Sequence, residues 1–327
     1  MEPLLILVLI LVLGAEFVNG WTDAPNAIAT VVSTKVLTPR QAVLMATIMN
    51  ILGTLSGTAV AYTIGKGIVN PNILGAEIIF ASMLSLILWS SIAARWGIPT
   101  SESHAIVAGL TGGAFAAAGP TALIASGWIK VGIGLIFSSV MGLFGSYLIT
   151  RFIIRYFSQV RPRRGQKTFN RLQVISSMFM AYNHGLNDGQ KFIGIFAMTL
   201  VMGGVFSHFH VPLWIILLCS ITMGIGTSIG GWKIVKNVGM RMVEIKPWQG
   251  FAAETSASIV ILSASLLGIP LSTTHTITTS IMGVAAAKRA RGVQWLIAGN
   301  IVLAWILTFP ICGLLSFLIT LSFQAFK

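Results

Sequence analysis

Two aspartates of this chain sit where a carboxylate is expensive. Asp23 falls in Asn19-Gly20-Trp21-Thr22-Asp23-Ala24-Pro25-Asn26, and Asp188 in Asn183-His184-Gly185-Leu186-Asn187-Asp188-Gly189-Gln190-Lys191, both inside long apolar runs. A carboxylate at the centre of a bilayer costs about 2.5–3.5 kcal/mol on insertion scales, so each marks an ion or proton site. Gly, Asn and, in the first copy, Pro25 interrupt helices and release backbone carbonyls and amides. Carboxylate, Asn oxygen and freed carbonyl are hard donors suited to Na⁺, and the same carboxylate can instead carry a proton; both readings stay open. Lys191, the base within these runs, either neutralises Asp188 or attracts an anion. Asn19 and Asn183 open the two copies and are taken as supporting residues of the motif.

A second pair of motifs carries different chemistry. Gly97-Ile98-Pro99-Thr100-Ser101-Glu102-Ser103-His104 and Gly268-Ile269-Pro270-Leu271-Ser272-Thr273-Thr274-His275 share five residues of eight at an offset of 171. Gly-Ile-Pro followed by hydroxyls is a helix-start signature that places Pro in the first turn, where its missing N–H costs nothing. Free N–H groups and the hydroxyls of Ser101, Ser103, Ser272, Thr273 and Thr274 can then cradle an anion at two opposed helix N-termini. A tetrahedral oxyanion suits such a donor-rich cage; the plainer reading is N-capping by Ser and Thr. Glu102 joins the cation site, carries a proton, or snorkels to the surface near Arg95. His104 and His275 lack the spacing of metal ligands and are taken to brace the motif or to touch substrate.

These motifs need apolar helices to hold them. Of 327 residues 55% are hydrophobic and 9% charged, with mean hydropathy +0.87, a balance that requires lipid as solvent. Ten apolar stretches can be marked at about 4–31, 42–64, 73–94, 97–118, 128–150, 172–204, 212–232, 250–267, 268–287 and 293–321, most near the roughly 20 residues that span a bilayer. Without polar alternation they favour helices over a barrel. With alternating spans and the N-terminus outside, Lys35, Arg40, Arg95, the seven basic residues of 151–171, Lys233, Lys236, Arg241, Lys246, Lys288, Arg289 and Arg291 fall inside, seventeen against Lys66, Lys130 and Lys327 outside. The positive-inside rule then places both termini outside the cytoplasm.

The net charge of +13 thus reflects orientation in a membrane rather than nucleic-acid binding. Cys219 and Cys312 support neither a disulfide nor a metal site. The expected fold is all-α and integral to the membrane, with about ten spans in two inverted repeats of five and broken helices near the midplane. The first repeat covers 1–150, a basic cytoplasmic linker 151–171, and the second repeat 172–327. Gly20 and Asp23 match Gly185 and Asp188 at an offset of 165, so both motif pairs recur in the same order, as inverted repeats predict.

The paired Gly-x-Asn-Asp type and Pro-x-Ser-x-x-His type motifs resemble those of the inorganic phosphate transporter (PiT) family, over nearly the whole chain and in its bacterial form. The resemblance implies a secondary transporter of inorganic phosphate coupled to Na⁺ or H⁺, seated in the cell (inner) membrane, with no cofactor. It places the cation at Asp23, Asn26, Asn187 and Asp188, with Na⁺ the metal expected at the two aspartates, and phosphate at Ser101, Ser103, Ser272, Thr273, Thr274 and Gln190. Thr22 stands where the family often has Asn, and Glu102 where a further hydroxyl is common; both touch the cation site, and they leave sulfate or another oxyanion as alternative substrate. The family also suggests a homodimer. A channel would need a polar stripe along several helices rather than polar residues gathered at two breaks. An enzyme is disfavoured because Thr273 replaces Glu102 in the second copy, and no ATP-binding Gly-x-x-x-x-Gly-Lys-Ser/Thr loop is present.

Overall fold

The computed structural model describes residues 3–67, 69–70, 73–157, 159, 161–288 and 293–325. Arg289, Arg291 and Lys327, three of the residues weighed for orientation, lie outside the described residues, as does the side chain of Lys66. Helices make up 84% of the structure, with no strand among the described residues. They are α1 (Pro3–Ser33), α2 (Pro39–Thr54), α3 (Ala59–Gly67), α4 (Ala76–Trp96), α5 (Glu102–Ala118), α6 (Ala125–Phe157), α7 (Pro162–His184), α8 (Gln190–Met202), α9 (Leu213–Thr227), α10 (Trp232–Val235), α11 (Pro247–Leu266), α12 (Thr273–Lys288) and α13 (Trp295–Ala325).

Each apolar stretch contains helix, but among the described residues five helices are long and apolar enough to cross a bilayer, or six if the pair Leu213–Thr227 and Trp232–Arg241, bent by 60°, counts as one span. The stretches 42–64 and 172–204 each fold as two helices, so neither is one long rod. The stretch 268–287 loses its first residues to a non-helical entry before Thr273. The basic segment 151–171 is mostly helical: α6 carries Arg151 and Arg155, and α7 carries Arg163, Arg164, Lys167 and Arg171. Helix thus enters the segment from both sides, up to Phe157 and from Pro162 on.

The surface is apolar, unlike that of a water-soluble protein. On α6, Ile129, Ile133, Ile136, Val140, Phe144 and Leu148 recur every three to four residues and are exposed. Its opposite face buries Gly134, Ser138, Gly142, Ser146 and Thr150. Small residues let helix backbones approach in lipid, where apolar burial between helices gains little. A Cβ on Gly283 would stand 2.1 Å from the Leu143 carbonyl, and one on Gly112 2.0 Å from that of Gly313. These contacts seat α12 on α6 and α5 on α13.

Pro25 does not break α1, contrary to expectation: the helix runs unbroken from Pro3 to Ser33. Proline removes one i→i−4 bond, and the carbonyl left over is that of Trp21. A Cβ on Gly231 would lie 2.8 Å from that oxygen, so the chain entering α10 packs directly on the gap. Neighbouring helices commonly tolerate such a residue in a membrane helix.

Candidate functional site

The second copy of the first motif does interrupt its helix. Gly185–Gly189 forms a π-helical turn between α7 and α8 and carries Asp188; π-turns inside α-helices often mark functional sites. The matched glycines do one job in both copies. A Cβ on Gly20 would meet the Met223 carbonyl at 2.3 Å, and one on Gly185 the Asn50 carbonyl at 2.2 Å. Only Gly lets α1 lie this close to α9, and the break this close to α2.

The second motifs begin helices as expected, with one correction. Gly97 and Gly268 adopt left-handed φ of 72° and 66° and turn the chain out of α4 and α11. Ser101 Oγ accepts from His104 N at 3.4 Å and Ser272 Oγ from His275 N at 3.2 Å, so the serines are N-caps and α5 and α12 start one residue later. Pro99 and Pro270 therefore precede the caps instead of occupying the first turn. A hydroxyl that satisfies the third backbone N–H of the helix fixes where it begins.

The four motifs meet at one buried point. Thr274 Oγ1 lies 3.3 Å from both carboxylate oxygens of Asp23, and Thr273 Oγ1 donates to Asp188 Oδ2 at 2.7 Å. Asn26 Nδ2 donates to Thr274 Oγ1 at 3.0 Å. Thr22 Oγ1 is 2.8 Å from Glu102 Oε1, which ties α1 to the start of α5. Lys191 pairs with Asp188 and donates to Ser103, and reaches the Leu271 carbonyl at 3.0 Å; Ser103 Oγ donates to that carbonyl at 2.8 Å. All these side chains are buried. Asp23, Glu102 and Asp188 thus gather three carboxylates at the starts of α5 and α12, and one of them, Asp188, is paired with Lys191. Lys191 neutralises Asp188 while it also bonds Ser103 of the expected anion cage.

Other expected site residues make their contacts outside this cluster, although Asn187 keeps its side-chain oxygen unpartnered among the described residues. Gln190 Oε1 accepts from Val60 N at 2.8 Å, which fixes the start of α3 rather than facing the hydroxyls. Asn187 Nδ2 donates to Ser265 Oγ at 2.9 Å on α11. His104 and His275 pack edge to face with centroids 4.5 Å apart, and His275 stacks on Trp305 at 3.5 Å. They brace the two helix starts against each other. Asn19 and Asn183 are buried with no hydrogen-bond partner among the described residues.

Two residues given no role by sequence complete the interior. His184 Nε2 stands 3.3 Å from Asp188 Oδ2 and 3.7 Å from Asp23 Oδ2, and one ligand atom each of Asp23, His184 and Asp188 lie within 4.8 Å of one another. Asn50 Oδ1, 2.9 Å from His184 Nδ1, orients the ring. The signal was its position one helical turn before Asp188. Glu254, buried on α11, accepts from Thr30 and Ser176, from Ser177 at 3.1 Å and from Gln173 at 3.4 Å. An ionisable residue inside an apolar stretch is itself a functional-site signal, and the stretch 250–267 contained one.

The family model described as "Phosphate transporter family" matches residues 19–316. A protein of Bacillus subtilis (strain 168) described as "Probable low-affinity inorganic phosphate transporter" is 40% identical over 321 residues, 96% of each chain. One of the same description from Rhizobium meliloti (strain 1021) is 40% identical over 316 residues, 96% of this chain and 95% of that one. A solved structure, "The sodium-dependent phosphate transporter", superposes with a TM-score of 0.87 over 100% of both chains at 24% identity, which shows the shared fold. The relatives are transporters, not enzymes, and with its apolar helices this multi-pass membrane protein belongs to the phosphate transporter family.

Proposed function

We propose that the chain is a secondary transporter that moves inorganic phosphate together with a coupling cation, Na⁺ or H⁺, by alternating access across the cell membrane. The observation that carries this reading is the junction of the motifs: Asp23 of the first half bonds Thr274 of the second, and Lys191 of the second bonds Ser103 of the first. An anion bound at the starts of α5 and α12 would lie against three carboxylates. In a low-dielectric interior their repulsion is large unless a cation occupies the space between. Cation and phosphate therefore bind cooperatively, each tightening the other by the same factor. Relatives at 40% identity are named for low-affinity phosphate transport, and the solved neighbour for sodium dependence, which makes Na⁺ the first ion to test.

In this reading the ten stretches form two inverted halves, 1–150 and 172–327, joined by the basic segment 151–171 on the cytoplasmic side, with both termini outside. A homodimer is compatible with it. Purified protein in liposomes should accumulate labelled phosphate under an imposed inward Na⁺ or H⁺ gradient, with sulfate competing weakly. Gradient-independent flux would contradict symport, and preference for sulfate would contradict the substrate.

A further inference from the structure

One face of α1 is polar along about half of its length. Glu16, Asn19, Asp23, Asn26 and Thr30 follow the spacing i, i+3, i+7, i+10, i+14 and are all buried. At 3.6 residues per turn they share an arc of about 80° and extend about 21 Å along the helix. From Asp23 onward each has a partner: Asp23 has Thr274, Asn26 has Thr274, and Thr30 has Glu254. The other end is different. Glu16 is 0% exposed and neither carboxylate oxygen makes a hydrogen bond of good geometry; its nearest polar company is the amide of Asn19, one turn on, which has no well-formed hydrogen bond to any other group among the described residues.

An ionised carboxylate buried without donors or a counter-ion costs several kcal/mol, whereas the neutral acid costs far less. Val12 and Ala15, which flank Glu16 on α1, belong to an apolar core that also takes in Leu86 of α4 and Ile215 of α9. The charged or titratable groups within its electrostatic reach are Asp188 and Lys191, from the π-turn and α8, and the Cys219 thiol of α9. On α4 the charged residues are Glu77 and Arg95, at its two ends, and on α2 only Arg40, at its start. Two or three oxygens in apolar surroundings suit a proton better than a metal ion, which prefers a fuller oxygen shell.

We propose that Glu16 is the proton-carrying residue of the transport cycle, loaded by water from the side on which phosphate enters and emptied to water on the other. The inference rests on the phosphate-transport reading above and names one residue for its coupling. Its link to the anion is electrostatic. Protonating Glu16 removes a negative charge within reach of Asp188 and Lys191 and so lowers the cost of bringing phosphate there. By linkage, bound phosphate holds the proton on Glu16 by the same factor. The polar face of α1 supplies the line along which the two sites communicate.

The test uses the full chain in liposomes loaded with a pH-sensitive dye, comparing parent, Glu16→Gln and Glu16→Asp. In the parent, acid outside should speed phosphate uptake and acidify the lumen. Glu16→Gln should lose both the stimulation and the lumenal acidification while still exchanging internal for external phosphate, which needs no net proton movement. Glu16→Asp, which keeps the acid, should recover part of the proton flux. Parental proton flux in Glu16→Gln overturns the proposal. So does loss of exchange in both variants alike, which would assign Glu16 to packing. A parent that accumulates phosphate with Na⁺ but moves no protons overturns the role of Glu16 and leaves phosphate transport standing; a parent that moves no phosphate overturns both.

Discussion

The two copies of the aspartate motif share a Gly and an Asp at one offset yet fold differently. Around Asp23 the helix is continuous, proline included, and the aspartate finds its partners on other elements: Thr274 from α12 and His184 from the end of α7. Around Asp188 the chain opens into a π-turn, and the aspartate holds two bases of its own segment, His184 at i−4 and Lys191 at i+3. The second half thus brings the positive charge of the centre, whereas the first brings Asp23 and Glu102. A sequence repeat fixes which residues converge, not which charge each half supplies. In the proposed cycle this asymmetry suits coupling, since a site whose basic groups all lie on one side changes its field if the halves move apart.

The largest expected effect breaks this comparison at its charged end. Asp188→Asn leaves Lys191 buried without its counter-ion, and removing one partner of a buried pair costs about 3–5 kcal/mol. Asp23→Asn leaves no buried lysine behind and should cost clearly less. Thermal melting of the purified proteins in detergent checks the order; equal melting temperatures would show that the two aspartates share the lysine.

The paired glycines should behave alike where the aspartates do not. Gly20→Ala and Gly185→Ala each place a methyl group against a backbone carbonyl, at 2.3 Å and 2.2 Å. Overpacking of this kind typically costs about 1–3 kcal/mol, so both should lower stability by similar amounts. If one is tolerated, the helix on that side is free to shift.

How much of this could be read in advance follows from the range of each interaction. Glycine turns, serine caps and apolar runs are local signals, and Gly97, Gly268, Ser101 and Ser272 act where the motifs placed them. Which way a side chain points within a helix depends on its neighbours in space. Gln190 was therefore expected at the anion and faces α3, while His184, one turn from Asp188, was given no role. Pro25 reads locally as a breaker, yet α1 runs through it, and the close approach of Gly231 to the freed carbonyl is a tertiary contact that the motif does not show. Glu16 and Glu254 were visible as carboxylates in apolar stretches, but their opposite surroundings, bare and fully bonded, are tertiary facts.

A smaller effect separates capping from coordination. Ser101→Ala removes an N-cap bond and should cost about 0.5–2 kcal/mol of stability. Thr273→Ala removes a bond to the charged Asp188, a type worth about 1.5–3 kcal/mol, and should act chiefly on phosphate binding. Measuring melting temperature and phosphate affinity on both variants gives a crossed pattern if the roles are distinct. Matching losses in both quantities would merge them.

The central claim is that phosphate and cation bind as one cooperative unit at the point where the motifs meet. The direct measurement is phosphate binding to purified parent, Asp23→Asn and Asp188→Asn across titrations of Na⁺ and of pH. The parent should bind phosphate more tightly as the coupling cation rises, and both variants should lose that dependence. A variant that keeps the parental dependence would make its aspartate structural and contradict the shared site.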